Sequence, residues 1–173
     1  MALARPIALH PDRWRALSAA GLTALVVAGA LDSVSARYRL AYDGQATRCL
    51  EGWLFLIDLR EREIARGSFV AFRPPAAVAE HYGRPVAFLK RVAGLPGDRV
   101  TVGPDRIAVN GREVGEGLAL AARLEVDAQD LVRSFIVPED TVFLMGDTAD
   151  SYDGRYWGPL PASEIIGEAR WLL

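Results

Sequence analysis

Cysteine and histidine are scarce in this sequence, and their scarcity excludes several kinds of site. The chain of 173 residues contains one cysteine, Cys49, so no intrachain disulfide can form. His10 and His81 are the only histidines, which argues against a Ser–His–Asp triad and leaves a zinc site without its commonest ligands. We therefore expect no metal ion and no other cofactor. The net charge of −2 gives no reason to expect a nucleic acid partner.

Lysine is as scarce as cysteine, because Lys90 is the only lysine and the other 19 basic residues are arginines. Lys90 lies in FLKRVAGLPGD, residues 88–98, whose first half is typical of a β-strand. The period-2 pattern puts it on one face with Phe88 and Val92. Burial disfavours an ammonium, and a neutral amine can act as a general base, which a guanidinium cannot. A lysine that reaches solvent from a sheet edge is the alternative.

Long apolar runs are absent except near the N-terminus. Residues 16–31 carry no charge, but sixteen residues are few for a membrane span, which needs about 20. Small neighbours can extend the run, so we predict a short cytoplasmic N-terminus (1–15), a transmembrane anchor (16–35) and one extracytoplasmic domain (36–173). Arginines before the run favour this orientation, although two that follow it weaken the bias. A signal peptide with its cleavage site at 34–36 and a buried helix are the alternatives.

The remainder of the chain has the pattern of a mainly β protein. Short segments rich in β-branched and aromatic residues are separated by glycine, proline and aspartate. They predict strands at residues 53–58, 68–72, 85–92, 99–102, 106–109 and 141–145. Asn110-Gly111 predicts a hairpin turn. Residues 73–84 are predicted to form a loop, whereas residues 115–133 fit either a helix or a strand.

Two motifs give the sequence a family resemblance. KRVAGLPGD, residues 90–98, has the form K-R-V-x-G-x-P-G-D, and GDTADSYDGRYWG, residues 146–158, contains a second set of characteristic positions. Together they resemble the type I signal peptidases, which are membrane-anchored serine peptidases with a Ser/Lys dyad. The resemblance covers most of residues 45–173. It implies a single β-rich catalytic domain of coiled antiparallel sheets behind one N-terminal transmembrane helix.

The resemblance places a cysteine where the family has its nucleophilic serine. Cys49 precedes Lys90 by 41 positions, as in the compact members, so the only thiol and the only side-chain amine fall at the two dyad positions. Thr148 stands in place of an asparagine and Gly154 in place of a serine, and the proline usual after the nucleophile is missing. A catalytically inactive relative, and a substitution made to trap substrate, are the alternatives to an active Cys/Lys enzyme.

The resemblance also implies how the reaction is supported. Cys49 would attack the peptide carbonyl, and Lys90 would act as the general base. The alternative is a resting thiolate–ammonium pair, in which Lys90 acts first as the acid to the leaving amine and only afterwards as the base. The backbone N–H of Cys49 and the hydroxyl of Thr47 would bind the oxyanion.

The second motif would supply the residues around this dyad. By resemblance, Ser151 would orient the lysine, and Asp153 and Arg155 would form a supporting ion pair. Asp98 and Asp147 are interpreted as structural residues of turns or polar networks.

The predicted function is that of a membrane-bound endopeptidase that cleaves signal, leader or pilin precursor peptides. The short chain resembles the TraF-like pilin peptidases of conjugation, some of which join the new carboxyl end of a pilin to its own N-terminus. A cysteine thioester would suit that transfer to an amine. The expected substrate is a preprotein or prepilin with small residues at −1 and −3. We expect a monomer in the bacterial inner membrane, with its catalytic domain on the periplasmic side in contact with lipid.

Three other functions are compatible with parts of the sequence. A non-catalytic, membrane-tethered module could hold preproteins or pilus subunits, and a general signal peptidase I could process bulk secreted proteins. Asp147-Thr148-Ala149 resembles an aspartic peptidase motif, but the remaining chain is too short for the catalytic half of that fold.

Overall fold

The computed structural model describes residues 11–45, 48–80 and 86–173, which fall into two units. The first unit ends at Arg37 and the second extends from Tyr38 to Leu173. Helix α1 (Pro11–Arg37) belongs to the first unit, and its residues Arg13–Arg37 are long and apolar enough to cross a membrane. A secretory signal sequence can have the same length and composition, so the retained anchor stays a prediction.

Eleven strands form two antiparallel sheets in the described part of the second unit. The strands are β1 (Tyr38–Tyr42), β2 (Leu54–Asp58), β3 (Phe69–Phe72), β4 (Phe88–Gly94), β5 (Arg99–Val102), β6 (Arg106–Val109), β7 (Arg112–Glu116), β8 (Arg133–Ile136), β9 (Thr141–Met145), β10 (Leu160–Pro161) and β11 (Ile165–Trp171). The larger sheet has the order β1-β2-β11-β3-β4-β9-β10, and the smaller one has the order β7-β6-β5-β8. The prediction of a mainly β fold of antiparallel sheets is confirmed.

Short helices and turns complete this unit. They are α2 (Ala76–Glu80), α3 (Ala128–Leu131), α4 (Gly154–Trp157) and the 3-10 turns Ala121–Leu124 and Ala162–Glu164. Each of the six predicted strand segments overlaps a strand, whereas the pattern missed β1, β8, β10 and β11. The prediction of a loop throughout residues 73–84 is wrong, because α2 lies within it. The undecided segment 115–133 contains the end of β7, a 3-10 turn and α3.

The predicted hairpin joins β6 to β7. Asn110 and Gly111 both have positive φ angles, 53° and 80°, as a two-residue type I′ turn requires. Asparagine and glycine tolerate this backbone region better than other residues, so the sequence determines the turn locally.

Strand β9 connects the cores of the two sheets. Val142 and Leu144 belong to one buried cluster with β3 and β4, whereas Phe143 and Met145 belong to another cluster with the smaller sheet. All four side chains are buried, which explains the continuous apolar run of this segment. The chain leaves β9 at Gly146, so the second motif begins where the cores of both sheets meet.

Asp98 joins the turn after β4 to two neighbouring segments. Its Oδ2 accepts hydrogen bonds from the Leu95 N–H and from Arg66 Nη2, both at 2.6 Å. Its Oδ1 accepts a hydrogen bond from Asn110 Nδ2 at 2.7 Å. Burial alone would raise the pKa of Asp98, but these hydrogen bonds and the charge of Arg66 outweigh it and lower the pKa below the ordinary value. The structural interpretation of Asp98 therefore has a physical basis.

Asp98 should make the folded chain sensitive to acid. Because its pKa is lowered on folding, its stabilisation is fully present above the unfolded value of about 3.9 and is lost as the pH falls through the folded value. Asp98→Asn is expected to lower the free energy of unfolding by about 2 kcal/mol at pH 7. The difference from wild type should shrink below about pH 4, because the wild-type carboxylate is then protonated.

Thermal unfolding followed by circular dichroism at pH 7, 4 and 3 would measure this difference. Asp105→Asn, at an exposed turn residue, is the matched control and should change little at any pH. A deficit in Asp98→Asn that stays constant over this range would contradict the assignment.

Candidate active site

Cys49 and Lys90 line the same cleft, which has a volume of about 800 Å³. The end of β1 and the strand β4 form part of its wall, and Leu120 and Leu124 contribute from the 3-10 turn and the residue before it. Tyr152 of the second motif also lines it. The two side chains that the family resemblance implies as a dyad thus line one cleft.

Lys90 is buried in the face of β4 that the period-2 pattern predicted. Only 4% of its surface is exposed, and it lies opposite Val70 of β3, with buried Val92 on the same face. Lys90 Nζ makes no hydrogen bond or ion pair with any residue that the structure describes. Among the described residues the amine therefore has no competing partner, and it is available to a group bound in the cleft.

Cys49 lies in a turn that is held through its backbone. Its carbonyl accepts a hydrogen bond from the Asp147 N–H at 2.7 Å, whereas its own N–H donates none within residues 11–45, 48–80 and 86–173. A free N–H on a residue that lines a cleft is suited to bind an oxyanion. Thr47, the other predicted oxyanion donor, lies outside the described residues, so its role stays a prediction.

Asp147 ties this turn to the strand that carries Lys90. Arg91 Nε donates to Asp147 Oδ1 at 2.8 Å, and Arg91 Nη2 donates to Oδ2 at 2.9 Å. The Arg91 guanidinium also stacks on the Phe69 ring, 4.3 Å from its centroid. A bidentate pair fixes orientation as well as distance. Asp147 therefore helps to hold Cys49 and Lys90 in a fixed relation, as its structural interpretation requires.

Asp153 and Arg155 form a fully buried ion pair beneath the second motif. Arg155 Nη2 lies 2.7 Å from Asp153 Oδ2, and the two side chains are 1% and 0% exposed. Asp153 Oδ2 also accepts the Gly146 N–H at 2.8 Å. Burial would lower the pKa of Arg155, but the hydrogen bonds and charge of Asp153, with smaller contributions from Tyr156 and Cys49, raise it. The guanidinium is therefore permanently charged.

Arg155 also holds the backbone of the motif. It donates hydrogen bonds to five backbone carbonyls in two segments, those of Glu116, Gly117, Thr148, Ala149 and Ser151. The buried pair thus determines the path of residues 146–151 and attaches it to the end of β7.

Ser151 is completely buried, and its Oγ has no hydrogen-bond partner within the described part of the chain. The hydrogen bond to Lys90 that the family resemblance implies is not formed in this structure, so the orienting role of Ser151 stays a prediction. Gly146 is packed against this serine. A Cβ at Gly146 would overlap the Ser151 Oγ and lie 2.7 Å from the Cys49 carbonyl, so only glycine fits.

Sequence reasoning missed two residues that contact the nucleophile turn or its support. Arg91 follows Lys90 directly, and Thr148 is a departure from the family motif, but neither position indicates such a contact in the sequence. Both act across large sequence separations, which no local pattern reveals. Among the described residues, no three His, Cys, Asp or Glu side chains are grouped as a set of metal ligands.

Comparisons with known proteins returned signal peptidases and TraF proteins. The family described as "Signal peptidase, peptidase S26" matches residues 13–173. A probable signal peptidase I-2 from Synechocystis sp. is 32% identical over 164 residues, which cover 91% of this chain and 72% of that protein. A conjugal transfer protein TraF from Agrobacterium fabrum is 39% identical over 82 residues, 47% of this chain and 46% of that protein. A solved signal peptidase I from Enterococcus faecalis V583 is 25% identical with a TM-score of 0.41, and the match covers 62% of this chain and 97% of that chain.

Proposed function

Because the chain belongs to the peptidase S26 family of signal peptidases, we propose that it is a membrane-bound endopeptidase that cleaves preproteins through a Cys49/Lys90 dyad. One observation carries the proposal: the only thiol and the only side-chain amine of the chain line one cleft. Lys90 occupies an apolar face without a counter-ion among the described residues, so no structural ion pair accounts for its amine there.

The two side chains of the dyad can perform acyl transfer without a cofactor. The Cys49 sulfur attacks the carbonyl carbon of the scissile bond, and the thiol proton passes to Lys90 Nζ. The Cys49 N–H stabilises the oxyanion, a contribution typically worth about 3 kcal/mol. Collapse of the intermediate breaks the C–N bond, and Lys90 gives its proton to the leaving amine. Water then attacks the thioester with Lys90 as base, which releases a carboxylic acid and regenerates the thiol.

The substrate is proposed to be a preprotein or prepilin with small residues at −1 and −3. Leu50, Phe55 and Leu89 line the cleft together with the dyad and offer apolar contacts to short side chains. Residues 1–15 are proposed to be cytoplasmic and 16–35 to be the anchor, with residues 36–173 on the periplasmic side of a bacterial inner membrane. We further propose that the enzyme is a monomer whose catalytic domain contacts lipid.

A second activity, transpeptidation, is favoured by the nucleophile itself. A thioester prefers attack by an amine over attack by water more strongly than an oxygen ester does. If the incoming amine is the N-terminus of the cleaved pilin, the same acyl-enzyme yields a cyclic product. The similarity to a conjugal transfer protein makes a pilin a reasonable substrate to test. A cyclic product is lighter than the hydrolysed one by a water molecule, so a mass spectrum containing only the linear product would exclude this activity.

Cys49→Ala is expected to abolish cleavage. The intact chain and a preprotein with alanine at −1 and −3 would be inserted together into lipid vesicles. Loss of the nucleophile should lower the rate by about 1,000-fold or more. Ser68→Ala is the matched control, because the Ser68 hydroxyl donates an exposed hydrogen bond to the nearby Ala65 carbonyl.

The assay also separates the alternatives. Equal cleavage by Cys49→Ala and wild type would mean that another group is the nucleophile. If neither cleaves a range of preproteins and prepilins, a non-catalytic, membrane-tethered binding module is the better account. Cleavage of bulk secretory preproteins in preference to prepilins would instead favour a general signal peptidase I.

A further inference from the structure

Thr148 connects the second motif to the nucleophile turn. Its hydroxyl Oγ1 donates a hydrogen bond to the Arg48 carbonyl at 3.1 Å, although the two residues are 100 positions apart. The preceding residue, Asp147, donates its N–H to the Cys49 carbonyl at 2.7 Å. Two consecutive residues of the motif thus hold two consecutive carbonyls of the turn.

The bond from Thr148 determines where the Cys49 N–H points. The Arg48 carbonyl and the Cys49 N–H belong to one planar peptide unit, and none of the described peptide bonds is cis. The C=O and N–H of a trans peptide unit point in opposite directions, so holding the carbonyl fixes the direction of the N–H. A hydrogen bond accepted by the carbonyl also polarises the unit and strengthens the N–H as a donor.

The backbone of Thr148 is itself held in place by a buried side chain. Its backbone carbonyl accepts a hydrogen bond from Arg155 Nη2 at 2.7 Å, and Arg155 is held by the buried Asp153. The Thr148 hydroxyl therefore contacts the Cys49 turn from a residue whose own backbone is held in place. A polar connection runs from the ion pair through Thr148 to the peptide unit of the nucleophile.

We propose that Thr148 is a positioning residue whose hydroxyl orients the peptide between Arg48 and Cys49, so that the Cys49 N–H is preset to bind the oxyanion. The inference rests on the proposed role of Cys49 as the nucleophile. It also gives a function to a position where the sequence departs from the family motif. Because the oxyanion develops only in the transition state, the contribution of Thr148 falls on kcat rather than on KM.

Thr148→Val tests this role, because valine keeps the shape of threonine and removes the hydroxyl. In vesicles that contain the intact chain and a preprotein with alanine at −1 and −3, kcat should fall about 10- to 100-fold while KM stays within about twofold. Thr148→Ser retains the donor and should bring kcat back to within about threefold of wild type. Thr141→Val is the matched control, since the Thr141 hydroxyl donates to the Pro138 carbonyl at 2.8 Å.

Alkylation of Cys49 by iodoacetamide separates positioning from a general disturbance of the turn. This reaction forms no oxyanion, so Thr148→Val should be alkylated at the wild-type rate. Wild-type kcat in Thr148→Val, a Thr148→Ser variant as slow as Thr148→Val, or an altered alkylation rate that accompanies the loss of kcat would each overturn the inference. A Cys49→Ala chain that cleaves normally, or a wild-type chain that cleaves nothing, would instead overturn the proposed function on which the inference rests.

Discussion

Lys90→Arg is expected to lower the rate of preprotein cleavage by about 1,000-fold or more, although it preserves a basic side chain of similar length. The reason is that a guanidinium does not release its proton in a protein and therefore cannot accept one from the thiol. Lys90→Met should be equally inactive, because it fills the same apolar site without any titratable group. The predicted equality of these two variants distinguishes proton transfer from a need for positive charge alone.

The folding of both variants must be measured alongside their activity. Lys90 is buried and lies opposite Val70 of β3, so Lys90→Met should retain or raise the unfolding temperature, since it removes a polar group from an apolar face. Arg106→Met, at an exposed residue of β6, is the control for loss of a basic side chain and should cleave at the wild-type rate. Substantial activity in Lys90→Arg would mean that Lys90 is not the base.

Arg155→Met is expected to have the largest effect on stability, lowering the free energy of unfolding by about 3–5 kcal/mol. The substitution leaves the Asp153 carboxylate buried without its counter-ion, and it removes the donors to five backbone carbonyls. A loss of this size corresponds to a fall of roughly 10 °C in Tm for a chain of this length. Cleavage should also be lost, because the path of residues 146–151 depends on the same guanidinium.

An exposed ion pair in the same chain provides the comparison. Arg170 and Glu168 lie on β11 with their charged atoms 3.7 Å apart, and the Arg170 side chain is 71% exposed. Arg170→Met should therefore change the free energy of unfolding by less than about 1 kcal/mol. Thermal unfolding of Arg155→Met and Arg170→Met, followed by circular dichroism, would measure the loss of stability in each variant. Similar small effects at the two positions would contradict the structural role of the buried pair.

A strand could be predicted from the sequence where its local apolar pattern agrees with the way its side chains pack in the fold. Strands β5, β6 and β9 are short apolar segments with clear turn residues on either side, and they were located within their observed bounds. Strand β11 was missed because its buried positions include Gly167 and Ala169, which do not give an apolar alternation. At Gly167 the chain packs so closely on the Asp58 carbonyl that a Cβ would overlap it, and such an approach is visible only in three dimensions.

The candidate site could be predicted only in part. The face of Lys90 follows from the period of its strand, but its proximity to Cys49 was implied by family resemblance and not by the spacing of the two residues. The segment 115–133 could not be assigned because distant groups shape it. Its Leu120 N–H, for example, donates to the Tyr156 hydroxyl at 2.8 Å. The role of Thr148 could not be predicted for a similar reason, because its hydrogen-bond partner Arg48 is far away in the sequence.

The account depends most directly on the claim that Cys49 is the nucleophile, and the composition of the chain makes this simple to test. Since Cys49 is the only cysteine, N-ethylmaleimide can modify no other thiol. Preprotein cleavage would be measured at increasing extents of alkylation, with the extent determined by mass spectrometry of the intact chain. The account predicts that activity falls in proportion to the alkylated fraction and reaches zero when Cys49 is fully modified. Full activity in a completely alkylated chain would contradict it.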